Sequence, residues 1–374
     1  SIDKSHLEVL IEVGEIISEN ESTSLIKQEK IKNGILKESK YTSDLPDSIK
    51  ENAKIIDEWL RKVTVCDPAV GSGAFPLGMM IEIVRARNVL SVFLKEENRN
   101  DYEFKRRCIE YSLYGVDIDP GAVEIAKLRL WLSLVVDETD IKKIKPLPNL
   151  EYKIICGNSL LGFPYRTSGL EKIEYLKEQF LCETSPSEKN KLREKINHAI
   201  YDQFKNTQTT LGYKVTIDFK INFSEVFHDN GGFDIVIANP PYVQLQKMRG
   251  NPLHQAYKNQ DFNVYDAYGD IYCLFYEKGM NILRKNGQLC FISSNKWMRA
   301  GYGKKLRQNF LKYNPEILID LGPGIFESAT VDTNIILIEK SNNQNKTLSG
   351  TIYKENNEIP DISSYLKKKG IKIS

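Results

Sequence analysis

From residue 63 to about 340, short apolar runs alternate with longer stretches of helical spacing, and no other feature restricts the fold as much. Val63–Cys66, Leu113–Val116, Tyr152–Cys156, Phe233–Ala238, Gln288–Ser293, Ile317–Leu321 and Asn334–Ile338 have the length and apolar content of strands. Leu77–Leu94, Val123–Val136, Tyr272–Leu283 and Gly303–Tyr313, between them, repeat apolar residues at the period of a helix. Parallel strands need a crossover of a dozen or more residues, usually a helix, so the alternation predicts an α/β domain. Its sheet should have seven strands, mostly parallel, with helices on both faces. The link Gly322 to Thr330 is too short for a helical crossover. The last strand is therefore expected to run antiparallel.

The flanks read differently. Residues 1–62 form a helical segment, with Leu7, Leu10, Ile11 and Ile17 and then Ile49, Ile55, Ile56, Trp59 and Leu60 at near-helical spacing, separated by the polar, lysine-rich Ser22 to Lys40. An insertion at 163–232 interrupts the αβ rhythm. Ile173, Leu176 and Phe180, then Leu192, Ile196, Ile200 and Phe204, predict a helical hairpin at the sheet's edge, turning at Ser185-Pro186-Ser187. A strand-like Tyr213–Ile221 follows. Beyond Lys340 the polar run Ser341 to Lys346 reads as a linker, and residues 341–374 are too few for a domain of their own.

Composition excludes several classes. With 41% hydrophobic and 27% charged residues the chain can bury a core, so wholesale disorder is excluded, and no apolar run of ~18 residues spans a membrane. Six cysteines without a C-x-x-C pair suggest reduced thiols and a cytoplasmic setting, and four histidines make a structural zinc site an unexpected feature. No metal is expected. The 52 basic and 50 acidic residues give a net charge of +2, which decides nothing about nucleic acid; distribution matters more.

Four motifs carry chemistry, each at the end of a predicted strand. In Asp67-Pro68-Ala69-Val70-Gly71-Ser72-Gly73-Ala74-Phe75, Gly71 and Gly73 allow unusual backbone angles and close approach of a ligand to a helix N-terminus. The loop lacks the G-x-G-x-x-G spacing and the Lys-Ser/Thr of phosphate loops, and its carboxylate suits a cation better than a pyrophosphate. In Gly115-Val116-Asp117-Ile118-Asp119, an acid stands where nucleotide-binding α/β folds grip ribose hydroxyls. Asp119 is expected to cap the next helix and Asp117 to bind. The third motif is Gly157-Asn158-Ser159-Leu160 and the fourth Asn239-Pro240-Pro241-Tyr242. Two prolines just past a strand fix the backbone and aim one carboxamide and one carbonyl at a common point. Such an acceptor pair can hold an exocyclic amino group while the aromatic ring stacks on the attached base. Each motif alone could be an ordinary turn; four in this order converge on one crevice.

The series resembles the gamma-class amino-type DNA methyltransferases that make N6-methyladenine, in particular the methylase part of single-chain type IIG restriction-modification enzymes. Gly269-Asp270-Ile271-Tyr272, Ser293-Ser294-Asn295-Lys296-Trp297 and Ile325 to Asn334 extend the resemblance, which covers about residues 60–340. It implies a Rossmann-like methyltransferase fold and S-adenosylmethionine (SAM) as cofactor. By position, Asp67, Pro68, Ala69, Gly71, Gly73 and Phe75 would hold the methionine part and Asp117 the ribose. Ile118 and Leu160 would flank the adenine ring, Asn158 would meet its edge, and Ser159 would be among the cofactor-binding residues. Asn239 and Pro241 would complete the cofactor site. Asn239, Pro240 and Tyr242 would be catalytic, and Tyr242 and Phe326 would enclose the target base. Many relatives carry Asp where this chain has Asn158; an Asn oxygen still accepts from an amino group. The Tyr-Thr-Pro-like segment that often precedes the first strand is not recognisable in residues 1–62. Fused nuclease and target-recognition domains are expected in a longer parent, the latter after residues 341–374.

Double-stranded DNA is the partner the resemblance implies. Two acid-free stretches suit its backbone. Val243 to Gln260 holds Lys247, Arg249, His254 and Lys258, and Lys296 to Lys312 holds Lys296, Arg299, Lys304, Lys305, Arg307 and Lys312. The alternatives are a methylase acting on protein glutamine or RNA adenine, or a weakly catalytic DNA-binding module of a restriction complex. A nicotinamide oxidoreductase is disfavoured by Asp67-Pro68.

Overall fold

The computed structural model describes residues 2–12, 14, 45–94, 99–136, 150–163, 171–183, 185–326, 331–354 and 359–373. The expected features at Ile17 and Ser22 to Lys40 lie outside them. The chain divides into two compact units, residues 1–63, 76–113 and 128–150 in one and 64–75, 114–127 and 151–374 in the other.

The first unit is helical in its described part. Helices Asp47–Glu51 and Ala53–Lys62 follow the spacing read from the sequence, and Leu10, Leu45, Ile49, Ala53, Ile56, Val89 and Leu90 form their common core. A charged cluster is buried with them. Asp57 accepts from Arg87 at 2.9 Å and from Arg99 at 2.7 Å, with all three side chains 5–7% exposed. The Arg87 guanidinium lies 4.0 Å from the centroid of the Phe104 ring. Burial alone would raise the Asp57 carboxyl, but hydrogen bonds from Arg99 and Arg87 outweigh it and hold it below its ordinary value.

The second unit carries the sheet. Its strands are β1 (Val65–Asp67), β2 (Leu113–Asp117), β3 (Ile154–Cys156), β4 (Phe233–Ala238), β5 (Leu283–Ser294), β6 (Asn314–Gly322), β7 (Thr333–Glu339), β8 (Thr347–Thr351) and β9 (Ile371–Ile373). They lie in the order β3-β2-β1-β4-β5-β7-β6-β8-β9. β2–β3, β1–β4 and β4–β5 are parallel, and β7 runs antiparallel to both neighbours, β5 and β6. All seven expected strands are present, with the seventh antiparallel as the short link required.

Two expectations are corrected. The sheet has nine strands, because residues 341–374 are more than a linker: β8 pairs with β6, the helix Ile362–Lys369 follows, and β9 pairs with β8. Leu366 and Ile352 pack on Ile319 and Leu321, which gives the added layer a small core. Thr347–Thr351 has one large apolar residue, so its pattern carries little strand signal. The strand-like Tyr213–Ile221 is no strand: it is irregular up to Asp218, joins no sheet and turns helical at Phe219. Its alternate residues Tyr213, Val215 and Ile217 are buried, and Asp218 then caps the helix Phe219–Asn222 by accepting from Lys220 N–H at 2.9 Å.

The hairpin of helices Glu171–Cys182 and Pro186–Phe204 forms as the spacing predicts, with Leu176, Phe180 and Ile196 buried between them. Tyr152, just before edge strand β3, meets Phe180 edge-on at 5.2 Å, which places the hairpin at the sheet's edge. No helix among the described residues is long and apolar enough to cross a membrane.

Candidate active site

The strand order turns back on itself between β1 and β4, and ligands in open α/β sheets bind beyond the strand ends at such a reversal. The four motifs meet there. Val70 N–H donates to Val116 O at 3.0 Å and Gly157 N–H to Asp117 O at 2.8 Å, which bring the loops after β1 and β3 against the end of β2. Ser159 Oγ donates to Pro68 O at 2.6 Å, tying the third loop to the first. Cys66 is level with Val236 on β4, so Asn239 follows β4 close to where Asp67 ends β1.

Gly71 and Gly73 have φ of +51° and +80°, the left-handed region that a side chain disfavours. A Cβ on Gly73 would also lie 3.0 Å from that of Ala126. Asp117 holds this loop: Gly71 N–H donates to one carboxylate oxygen at 2.8 Å and Asp119 N–H to the other at 2.9 Å. Asp119 in turn accepts from Gly121 N–H at 2.8 Å and caps the helix Pro120–Val135. Asp67 is 1% exposed and accepts from Ala69 N–H at 2.9 Å. Burial first, and the charge of Asp117 with it, push its carboxyl up to about 8 against the Ala69 hydrogen bond. A cation arriving at this loop would favour the ionised form.

Ile118 is 59% exposed and offers an apolar face beside Asp117. Leu160 is 1% exposed and belongs to the main core. The Asn158 carboxamide is held at both ends: its oxygen accepts from Leu160 N–H at 3.1 Å and its nitrogen donates to Tyr257 OH at 2.9 Å. Phe75 and Phe326 are half-buried, Pro240 is buried and Pro241 exposed.

In the fourth loop Tyr242 OH donates to Asn239 Oδ1 at 2.6 Å. Burial pushes the Tyr242 phenol up to about 12. Its ring stands edge-on to Tyr272 with centroids 6.2 Å apart. Backbone bonds Ile271 N–H to Val243 O at 2.8 Å and Leu245 N–H to Gly269 O at 2.9 Å fasten the loop to the Gly269–Ile271 segment.

Lys247, Arg249, Lys296, Arg299, Lys304 and Lys305 are all exposed. Lys305 Nζ donates to Tyr265 O at 2.8 Å, and Arg249 lies 5.5 Å from the Tyr268 ring centroid. Arg307 is turned inward, donating to Trp297 O and Ala300 O, so it serves the fold. Tyr257 and Gln260 were not singled out in the sequence; a lone Tyr on a short helix carries no local mark of a partner 99 positions away. No group of three or more His, Cys, Asp or Glu among the described residues is placed to hold a metal.

The chain is 27% identical over 395 residues to the Methanocaldococcus jannaschii protein RM.MjaORFECS2P, whose description as a type II restriction enzyme and methyltransferase is itself provisional. It is 26% identical over 296 residues to the type II restriction enzyme and methyltransferase RM.Eco57I of Escherichia coli. These alignments cover 80% and 75% of this chain but only 32% and 25% of the relatives, so the chain spans a third or less of their length. The type IIL restriction-modification enzyme MmeI, solved in complex with DNA, shares the fold at a TM-score of 0.53 and 15% identity, over 87% of this chain and 37% of that one. Residues 111–326, more than half of the chain, match the Eco57I restriction-modification methylase family, and the chain belongs to that family.

Proposed function

We propose that this chain is a modification core that transfers the methyl group of SAM to the N6 amino group of adenine in double-stranded DNA. The observation that carries the reading is the Asn239–Tyr242 pair, hydrogen-bonded at 2.6 Å at the end of β4, beside a crevice built from the loops of Asp67, Asp117 and Asn158. The crevice residues fit the cofactor. Two left-handed glycines let it approach the backbone, the buried Asp67 suits its cationic end, the lone pairs Asp117 has left beyond its bonds from Gly71 and Asp119 would accept from the ribose hydroxyls, and exposed Ile118 would offer a surface for the adenine. When bound, SAM supplies an activated methyl group on a positively charged sulfur.

The chain's own residues do the rest. An adenine flipped from the duplex would stack on the Tyr242 ring, with Phe326 on its other face. Its amino group would donate one hydrogen to Asn239 Oδ1, at the position where the Tyr242 hydroxyl now donates, and the other to Pro240 O. This draws the nitrogen lone pair out of ring conjugation and aims it at the methyl group. Positioning of this kind is worth up to ~7–11 kcal/mol of a barrier. Lys247, Arg249, Lys296, Arg299, Lys304 and Lys305 would hold the phosphates. The setting would be the cytoplasm, with nuclease and target-recognition domains as partners in a longer parent.

Incubation with methyl-labelled SAM and defined duplexes, followed by nucleoside analysis, tests the reaction. Label in N6-methyldeoxyadenosine supports it; label in cytosine, in RNA adenine or in protein glutamine overturns it. The ribose contact has its own test. Asp117→Ala should weaken SAM binding by ~1.5–3 kcal/mol, the scale of hydrogen bonds to a charged group. Because Asp117 also anchors Gly71, calorimetry should compare S-adenosylhomocysteine with its 2′,3′-dideoxy analogue. Wild type should prefer the hydroxylated ligand and Asp117→Ala should not; an equal preference in both would leave Asp117 with its loop-anchoring role alone.

A further inference from the structure

The loop Gly157–Gly162 and the segment 252–260 are far apart in the chain, yet they are bonded side chain to side chain and side chain to backbone. Asn158 Nδ2 donates to Tyr257 OH at 2.9 Å. The assignment of the amide is not free. Leu160 N–H can only donate, so Asn158 Oδ1 must face it and Nδ2 must face Tyr257. Gln260 then grips the other end of the loop with both atoms of its amide. It accepts from Gly162 N–H and donates to Gly162 O, each at 3.2 Å. Gly162 O also accepts from Tyr213 OH at 3.1 Å, and Gln260 donates to that same hydroxyl. A side chain on Gly162 would strike Asp218, with its Cβ 2.8 Å from Asp218 Oδ2. Asn158 is 7% and Tyr257 3% exposed, so water competes little for these bonds.

The helix Pro252–Asn259 thus ends on this loop, while its other end follows directly from the basic Lys247–Arg249 turn, and Lys258 on the helix is exposed. We propose that Tyr257 and Gln260 form a clasp through which occupation of the Asn158 loop by SAM sets the position of the basic segment 247–259 for DNA. Tyr257 and Gln260 are positioning residues here, not catalytic ones. The proposal rests on the reading of the Asn158 loop as part of the cofactor site.

Amide hydrogen exchange on this chain, with and without saturating SAM, tests it. In the wild type SAM should slow exchange at 67–75, at 157–162 and, through the clasp, at 253–260. Tyr257→Phe keeps the ring and its packing but removes the acceptor. It should raise the Kd for SAM roughly threefold to tenfold, the loss of one hydrogen bond. At saturation it should still protect 67–75 and 157–162 and lose the SAM-dependent protection of 253–260. Asn158→Asp should retain that protection, since a carboxylate accepts from both the Tyr257 hydroxyl and Leu160 N–H. Undiminished protection of 253–260 in Tyr257→Phe overturns the clasp while leaving the cofactor site in place. Loss at all three segments makes Tyr257 a plain structural residue and also overturns it. Absence of protection at 67–75 in the wild type removes the cofactor reading, and the clasp with it.

Discussion

Asn239→Ala is expected to lower the rate of methyl transfer by roughly 10²–10³-fold, the scale for removing one preorganised group that meets developing charge. SAM and DNA should still bind. The carboxamide oxygen accepts from an amine whose nitrogen becomes more positive as the methyl arrives, so the bond strengthens along the reaction. An interaction made mainly in the transition state lowers turnover more than ground-state affinity. In the structure this oxygen is held by the Tyr242 hydroxyl at 2.6 Å, which fixes its direction before substrate arrives. A carbonyl oxygen has two lone pairs, so the target amine can join or replace the hydroxyl. Tyr242→Phe should therefore be mild, within a few-fold by this reasoning, because the ring that stacks is retained. Tyr242→Ala should be severe, since stacking a base on an aromatic is worth ~1–3 kcal/mol. Single-turnover rates and binding constants for the three variants, measured in an enzyme that includes its recognition region, decide the matter. Near-normal rates for Asn239→Ala, or equal damage from Tyr242→Phe and Tyr242→Ala, would remove the flipped-adenine mechanism from this loop.

The second large effect is on stability. Asp57→Ala should destabilise the fold by ~3–5 kcal/mol, because it leaves Arg87 and Arg99 buried without their shared carboxylate. Asp57→Asn should cost less, since Oδ1 accepts from both Arg87 and Arg99 and an amide oxygen there keeps those bonds while the charge and the second oxygen are lost. The pH dependence has a definite sign. The folded-state carboxyl of Asp57 is held below its ordinary value, so its contribution is complete above the unfolded-state pKa and is lost as pH falls through the folded one. Denaturant midpoints of wild type and both variants, at neutral pH and near pH 3, give the comparison. A wild-type-like midpoint for Asp57→Ala at neutral pH would mean that the arginines find other partners. In that case the cluster would not anchor this helical unit.

The strands were legible because each is a short apolar run between turn residues, a signal that lies within the run itself. Phe233–Ala238 has the same bounds in sequence and structure, and β7 is antiparallel because too few residues precede it for a crossover. Where packing rather than local pattern decided, the reading failed. Val215 and Ile217 alternate like a strand, yet the segment is drawn against the Gly157 loop, where a Cβ on Gly157 would sit 2.7 Å from Ile217 Cγ2.

By itself the sequence determined the α/β class, the antiparallel seventh strand, the helical hairpin at 171–204 and the grouping of four loops at one end of the sheet. These follow from periodicity, connection length and the backbone demands of glycine and proline, all of which act over a few residues. Only the tertiary structure decided that β7 inserts between β5 and β6, that β8 and β9 extend the edge, and that Asn158 is bonded to Tyr257 and Gly162 to Gln260. It also decided that the Tyr242 hydroxyl rests on Asn239 and that Asp117 holds Gly71. Such contacts depend on which distant segments the core brings within about 3 Å, and a polar side chain in a sequence carries no record of the partner that burial will force upon it.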